Sequence, residues 1–201
     1  MSDETRKPYR KSKRAELEAQ TRERITKAAV KLHGSVGPAR TTISAIAKDA
    51  GVQRATVYRH FPTQEDLFAA CSAHFWAQHP PPDPGAWAQI EDPDERLAVA
   101  LRELYRLYRD TAPMLERTSR DAPHVPAMEP RTQAFRGLLA AMGETLMKGR
   151  PARGSRRRRV AAAVGHAISF ATWRSLTGDH GLDDEDAARL MTALVAAAAD
   201  P

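Results

Sequence analysis

The stretch Thr41 to Phe68, TTISAIAKDAGVQRATVYRHFPTQEDLF, constrains this chain more than any other segment. Ile43, Ile46, Ala47 and Ala50 recur at helical spacing, which gives a short helix one apolar face before Gly51 breaks it. Glycine tolerates the left-handed backbone that a tight turn between helices needs. Val52 and Val57 then pack back on that face. Gln53, Arg54, Thr56, Tyr58, Arg59 and His60 are left to share the outer surface of a second short helix. These side chains are cations and hydrogen-bond donors, the types that meet phosphates and base edges.

Charge points the same way. Residues 1–62 carry 14 Lys and Arg against 6 Asp and Glu, whereas the remaining residues carry 17 against 19. The cationic excess therefore sits on the segment with the helix-turn-helix pattern. A basic patch attracts polyanions whatever their sequence, so it supports nucleic acid as partner without identifying a site.

An apolar helix followed by T-T-x-x-x-I-A-x-x-A-G-V-x-x-x-T-x-Y-x-H-F-x-x-x-E-x-L resembles the amino-terminal domain of the TetR family of bacterial transcriptional repressors, over roughly residues 20–70. Beyond residue 78 only length and helical pattern agree. The resemblance implies an all-α fold: a three-helix helix-turn-helix domain joined by a connecting helix to a helical ligand-binding and dimerisation domain. It carries the family's DNA contacts onto Thr42, Gln53, Arg54, Thr56, Tyr58, His60 and Gln64, with Arg59 beside them on the outer surface. Arg54 is the candidate for base readout, because its planar fork can grip a guanine edge. Gln53 supports it, and Ala55 can touch a thymine methyl. Thr42, Thr56, Tyr58 and His60 are expected to hold phosphates and set register. The sequence departs from the family at two points. His33 stands where a Phe is usual, so a satisfied or partly exposed histidine and a pH switch are both open. Gln64 replaces a usual Lys, which weakens one phosphate contact.

Composition bounds the other classes. The single cysteine, Cys71, rules out an intramolecular disulfide framework and fits a reducing cytoplasm; among Leu67, Phe68 and Phe75 it reads as a small buried hydrophobe. No apolar run approaches the roughly 18 residues of a membrane span, and the charged amino terminus lacks the apolar core of a signal peptide. A cytoplasmic location follows as the expectation. There is no Ser-His-Asp signature, glycine-rich phosphate loop or metal-ligand spacing among the seven histidines, so catalysis, a metal and a cofactor are not expected.

The chain divides into a flexible basic arm (1–14), a helix-turn-helix domain (15–62) and an effector-binding and dimerisation domain (63–201). The arm holds Arg6, Lys7, Arg10, Lys11, Lys13 and Arg14, and either enters a minor groove or adds general attraction. Helix one is expected from about Ala15 to His33. Thr63 with Asp66 resembles a capping box that opens a fourth helix, to about Gln78. Residues 79–92, HPPPDPGAWAQIED, form a linker with a non-helical first half, anchored by Trp87 and Ile90. Asp92-Pro93-Asp94-Glu95 then caps a helix to about Asp110, followed by a short helix over Pro113–Ser119. Phe135 to Leu146 mark another, Arg156 to Arg159 open the next, and Asp183 to Asp186 cap the last. The four arginines oppose the dipole of their helix; a solvated run and a second polyanion contact are both open.

One helix-turn-helix buries too little surface to select a genomic site, so proteins of this kind commonly pair two units about 34–36 Å apart. A homodimer on a palindromic duplex DNA operator is expected, its interface drawn from Val160, Val164, Ile168, Ala171, Leu190, Met191, Leu194 and Val195. By resemblance, a small-molecule effector pocket is expected among Phe75, Trp76, Trp87, Leu104, Tyr108, Met114, Met128, Phe135, Leu139, Met142, His166, Phe170 and Trp173, although such residues equally make plain core. The function implied is a sequence-specific regulator, a repressor released by a small apolar or aromatic effector. A non-specific architectural DNA-binding protein is the alternative.

Overall fold

The computed structural model describes residues 6–199, with side chains from residue 13. Every regular element among them is helical. The helices are α1 (Arg6–Ser35), α2 (Ile43–Ala50), α3 (Arg54–His60), α4 (Gln64–Gln78), α5 (Pro84–Trp87), α6 (Pro93–Asp121), α7 (Glu129–Met147), α8 (Gly154–Ala167), α9 (Phe170–Arg174) and α10 (Asp184–Ala197). They divide into two compact units, each assembled from two stretches of chain: residues 1–78 with 116–131, and residues 79–115 with 132–201.

In the amino-terminal unit α1 packs on α2 and α4, and α2 on α3. Its core is Ile25, Ala28, Ala29, Ile46, Ala47, Ala50, Val57, Phe61, Leu67 and Cys71, the apolar stripe expected from the helical spacing. Thr42 caps α2 through its side-chain oxygen, which accepts the Ala45 N–H at 3.1 Å. Gly51 ends α2 at φ 65°, and the Val52 N–H returns to the Ala47 carbonyl at 2.9 Å. The capping box at α4 is reciprocal: Asp66 N–H donates to Thr63 Oγ1 at 3.1 Å, and Thr63 N–H to Asp66 Oδ2 at 3.3 Å.

Helix α1 begins at Arg6, well before the expected Ala15. Residues 9–32 contain no glycine or proline and are rich in good helix formers, and an Arg14–Glu18 pair at 3.1 Å spans the expected boundary. The first five residues of the expected basic arm, and all its side chains through residue 12, lie outside the described residues.

The last residues of α6 close the amino-terminal unit at the corner between α1 and α2. Arg117 Nε donates to the Ser35 carbonyl at 2.8 Å and Arg120 Nη2 to that of Val36 at 3.4 Å. Asp121, buried, accepts the Ala39 N–H at 3.0 Å, and the Arg120 guanidinium beside it holds its carboxyl below the usual carboxylate range. Gly37 is required here: its φ is +93°, and a Cβ would stand 2.3 Å from Asp121 Oδ2. His33 is buried and stacked on Phe68 at 5.1 Å, and burial lowers its pKa to about 4. It is a neutral core histidine, and the pH switch left open from sequence is not operative near neutrality.

The second unit is built around the first part of α6, whose Leu97, Leu101, Leu104, Tyr105 and Tyr108 are fully buried. Asp92 caps α6, accepting the N–H groups of Asp94 and Glu95 at 2.8 Å each. One helical turn, α5, forms inside the proline-rich linker because Asp83 caps it and Pro84 sits at its first position. The expected break near Asp110 is absent: α6 continues through Pro113 to Asp121 as one helix, which corrects the short helix expected over 113–119. A proline removes one backbone donor, and the helix nevertheless continues on both sides of it.

Buried guanidinium groups tie the second unit together. Arg96 donates to the carbonyls of Ile90, Glu91, Thr145 and Lys148, and Arg150 to those of Leu146 and Pro93 and to Asp94. These bonds satisfy the carboxyl end of α7. The hydroxyls of Tyr105 and Tyr108 donate to the carbonyls of Ala167 and Ile168 at 2.9 and 2.6 Å, where α8 ends. Ser169 then caps α9, so the continuous helical surface expected from Val160 to Trp173 is two helices. Asp183 caps α10 as expected, accepting the Asp186 N–H at 2.7 Å. No helix among the described residues is long and apolar enough to cross a membrane.

Candidate nucleic-acid interface

Helix α3 has two unlike faces. Val57 is fully buried against α2, while one residue on Tyr58 is 48% exposed. Gln53, Arg54, Ala55 and Arg59 are exposed with it, and Thr56 and His60 are half-buried. Gln53 is the cap residue of α3 without a side-chain capping bond, which leaves its amide free of that local task. Thr42 and Gln64, at the starts of the flanking helices, are both exposed. The structure therefore presents every sequence-predicted contact residue at the surface of the amino-terminal unit, and α2 and α4 carry the two outlying ones.

The arrangement suits a polyanionic groove. A seven-residue helix held by one buried valine shows a planar guanidinium at its start, a phenol in its middle and a second cation near its end. The hydroxyl oxygen of Thr42 is engaged in capping, but its proton remains to donate outward.

His60 differs from its neighbours. Its Nε2 is enclosed and, among the described side-chain nitrogens and oxygens, is the buried atom without a hydrogen-bond partner. A phosphate contact must therefore use Nδ1. Burial first, then the cations of Arg59 and Arg22, hold the imidazole below its ordinary pKa, against a smaller opposing effect of Glu18. Arg22, on α1, donates from Nη1 to the His60 carbonyl and lies 4.0 Å above the centre of the Phe61 ring. Sequence reading missed this residue. The signal was a charge at position 22 on the same helical stripe as Ile25 and Ala29.

The other predicted sites fare differently. Of the interface candidates, Val160, Val164, Ile168, Met191 and Val195 are buried within the chain itself, while Ala171, Leu190 and Leu194 are exposed. The reason is packing of α8 against α10, which uses the most apolar faces of both helices internally. Of the pocket candidates, Trp87, Leu104, Tyr108, Met142, Phe170 and Trp173 are buried core, as is Met128, and His166 is exposed. Tyr108, Phe170 and Trp173 form one ring cluster with centroids 5.4–6.1 Å apart. Phe75 and Trp76 pack edge to face in the amino-terminal unit, and Met114, Phe135 and Leu139 are half-buried. Leu139 alone among these candidates lines a groove of about 500 Å³ in the second unit, between α7 and α8.

Comparison with known proteins follows the same division. Residues 25–71 match the model of the bacterial regulatory proteins of the tetR family. No curated protein matches the chain. A TetR-like transcriptional regulator from Rhodococcus sp. RHA1 is similar over 87% of this chain and 93% of its own, at 20% identity and a TM-score of 0.61. A putative TetR-family regulator from Mesorhizobium loti MAFF303099 is similar over 90% and 96%, at 18% identity and a TM-score of 0.63. The multidrug binding protein EbrR, solved with imidazole, is similar over 86% and 88%, at 20% identity and a TM-score of 0.53. Residues 25–71 thus match the tetR-family model, and the fold of the chain is similar to that of solved TetR-family regulators.

Proposed function

We propose that this chain, whose helix-turn-helix domain is of the tetR family, is a sequence-specific repressor that binds a palindromic operator as a homodimer and leaves it when a small apolar or aromatic effector binds. The observation that carries the reading is the two-faced α3, with Val57 fully buried while Arg54 and Tyr58 stand exposed beside it. A helix held in this way enters a major groove with its polar residues leading. Arg54 reads a base edge, and Tyr58, Thr56 and Thr42 fix register on phosphates.

Pairing follows from the energetics of site selection, since one such module contacts too few base pairs. The exposed Leu190 and Leu194 on α10, with Ala161 and Gly165 exposed on the neighbouring α8, offer the surface for a two-fold contact. Support for an effector is the aromatic cluster of Tyr108, Phe170 and Trp173 in the second unit, together with the likeness in fold to a multidrug binding protein. Selection of bound fragments from the organism's own genomic DNA tests the reading. Enrichment of a short inverted repeat supports it. Salt-sensitive binding with no enrichment would replace it with an architectural DNA-coating protein.

A further inference from the structure

Arg22 lies outside the helix-turn-helix motif, yet it makes two contacts with the carboxyl end of α3. Its Nη1 donates to the His60 carbonyl, and its guanidinium stacks over Phe61, the residue that follows the helix. The last carbonyls of a helix have no partner within it and carry the negative end of its dipole, so a cation there is doubly favoured. The Thr26 hydroxyl donates back to the Arg22 carbonyl at 3.0 Å, within the same stretch of α1.

We infer that Arg22 is a positioning residue for DNA recognition: it locks the carboxyl end of the reading helix onto α1 and turns the Nδ1 edge of His60 outward as the phosphate donor. This rests on the reading of α3 as the DNA-contacting helix. The geometry selects the tautomer. Nε2 is enclosed with nothing to accept a proton from it, so an N–H there would be stranded, and the ring proton belongs on Nδ1. The charged groups about the ring are Arg59 on α3 and Arg22 and Glu18 on α1, and the net effect of burial and these charges keeps the ring neutral. A neutral Nδ1–H gives a phosphate a directed bond. It also leaves DNA affinity independent of this histidine's titration near neutral pH.

The test uses the full chain and a DNA fragment enriched by the wild-type protein. Failure of the wild type to enrich any fragment would end the operator reading itself, a result distinct from those that follow. Arg22→Met is expected to keep the helical circular dichroism of the wild type and to lose about tenfold or more in affinity, the scale of one charge-assisted hydrogen bond. Nitrogen-15 spectra of the wild type at neutral pH are expected to show His60 protonated on Nδ1. In Arg22→Met the ring should move towards the other tautomer and titrate nearer its ordinary range. Unchanged affinity in a folded Arg22→Met protein would overturn the inference, as would a wild-type His60 protonated on Nε2. Should Arg22→Met not fold, Arg22→Lys decides. It retains the charge without the planar fork, so the Nδ1–H tautomer with reduced affinity supports the inference, and full wild-type affinity overturns it.

Discussion

Oδ2 of Asp121 accepts the backbone N–H of Ala39 across 82 residues of sequence, and it does so over Gly37, the one residue type that fits beneath it. Gly37→Ala must adopt a positive φ and displace the carboxylate at once. A loss of about 1–3 kcal/mol is expected in urea unfolding. Asp121→Ala, which strands the Ala39 N–H, should cost a similar amount, roughly 1–3 kcal/mol. Both substitutions break one contact, so the double variant should lose less than the two losses combined. Full additivity would show that the glycine serves some other purpose.

His33 imposes a pH dependence with a definite sign. Its folded pKa of about 4 lies below the ordinary 6.5, so the unfolded chain binds the proton more readily. Stability from this group is fully present above pH 6.5 and falls as pH drops towards 4, with a slope of at most about 1.4 kcal/mol per pH unit. His33→Phe should flatten that window while preserving the stack on Phe68. Unfolding midpoints at pH 5 and pH 7 that differ as much in the variant as in the wild type would place the proton uptake elsewhere.

Arg54 and Tyr58 should separate specificity from affinity. Arg54→Ala is expected to reduce discrimination between the selected operator and a mutated one by about 1–3 kcal/mol. Tyr58→Ala should weaken binding to all duplexes alike, because a register contact carries no sequence information. Competition gel shifts with matched and mismatched duplexes read both effects. An Arg54→Ala protein that discriminates as well as the wild type would remove this residue from base readout.

Two tyrosines hold the end of α8. Tyr105→Phe and Tyr108→Phe each leave a buried carbonyl, of Ala167 or Ile168, without its donor. Each should cost about 1–3 kcal/mol of stability, measured by thermal or urea unfolding. A change within experimental error would mean that water replaces the phenol in that position.

Oligomerisation can be tested on the exposed side of α10. Leu194→Lys, at a position 50% exposed within the chain, should leave the fold intact and convert a dimer to a monomer in sedimentation. Val195→Lys, by contrast, buries a charge beside α8 and should unfold the second unit. A dimer that survives Leu194→Lys would move the interface away from α10.

Short-range order was legible in the chain wherever one residue type does one local job. Gly51, Thr63 with Asp66, Asp92 and Asp183 mark helix ends through hydrogen bonds to the nearest few N–H groups or through a positive φ, and each stands where expected. The exposed face of α3 was legible for a similar reason, since between Gln53 and His60 only Ala55 and Val57 are apolar. Reading failed where a local signal competed with longer-range packing. Pro113 looked like a break, but α6 runs through it; Val164 and Met191 looked like an interface, but α8 and α10 spend those faces on each other.

The amino-acid sequence by itself determined the succession of helices, the basic amino-terminal segment and the polar outer face of α3, because caps, glycine turns and 3.6-residue periodicity act over a few neighbours. Tertiary structure alone decided that Arg22 grips the end of α3, that Asp121 seats the α1–α2 corner over Gly37, and that Tyr108 finishes α8. Those partners lie 38, 82 and 60 residues apart. No periodicity connects residues so distant, and only a folded core brings a buried donor to the one carbonyl or carboxylate that lacks it.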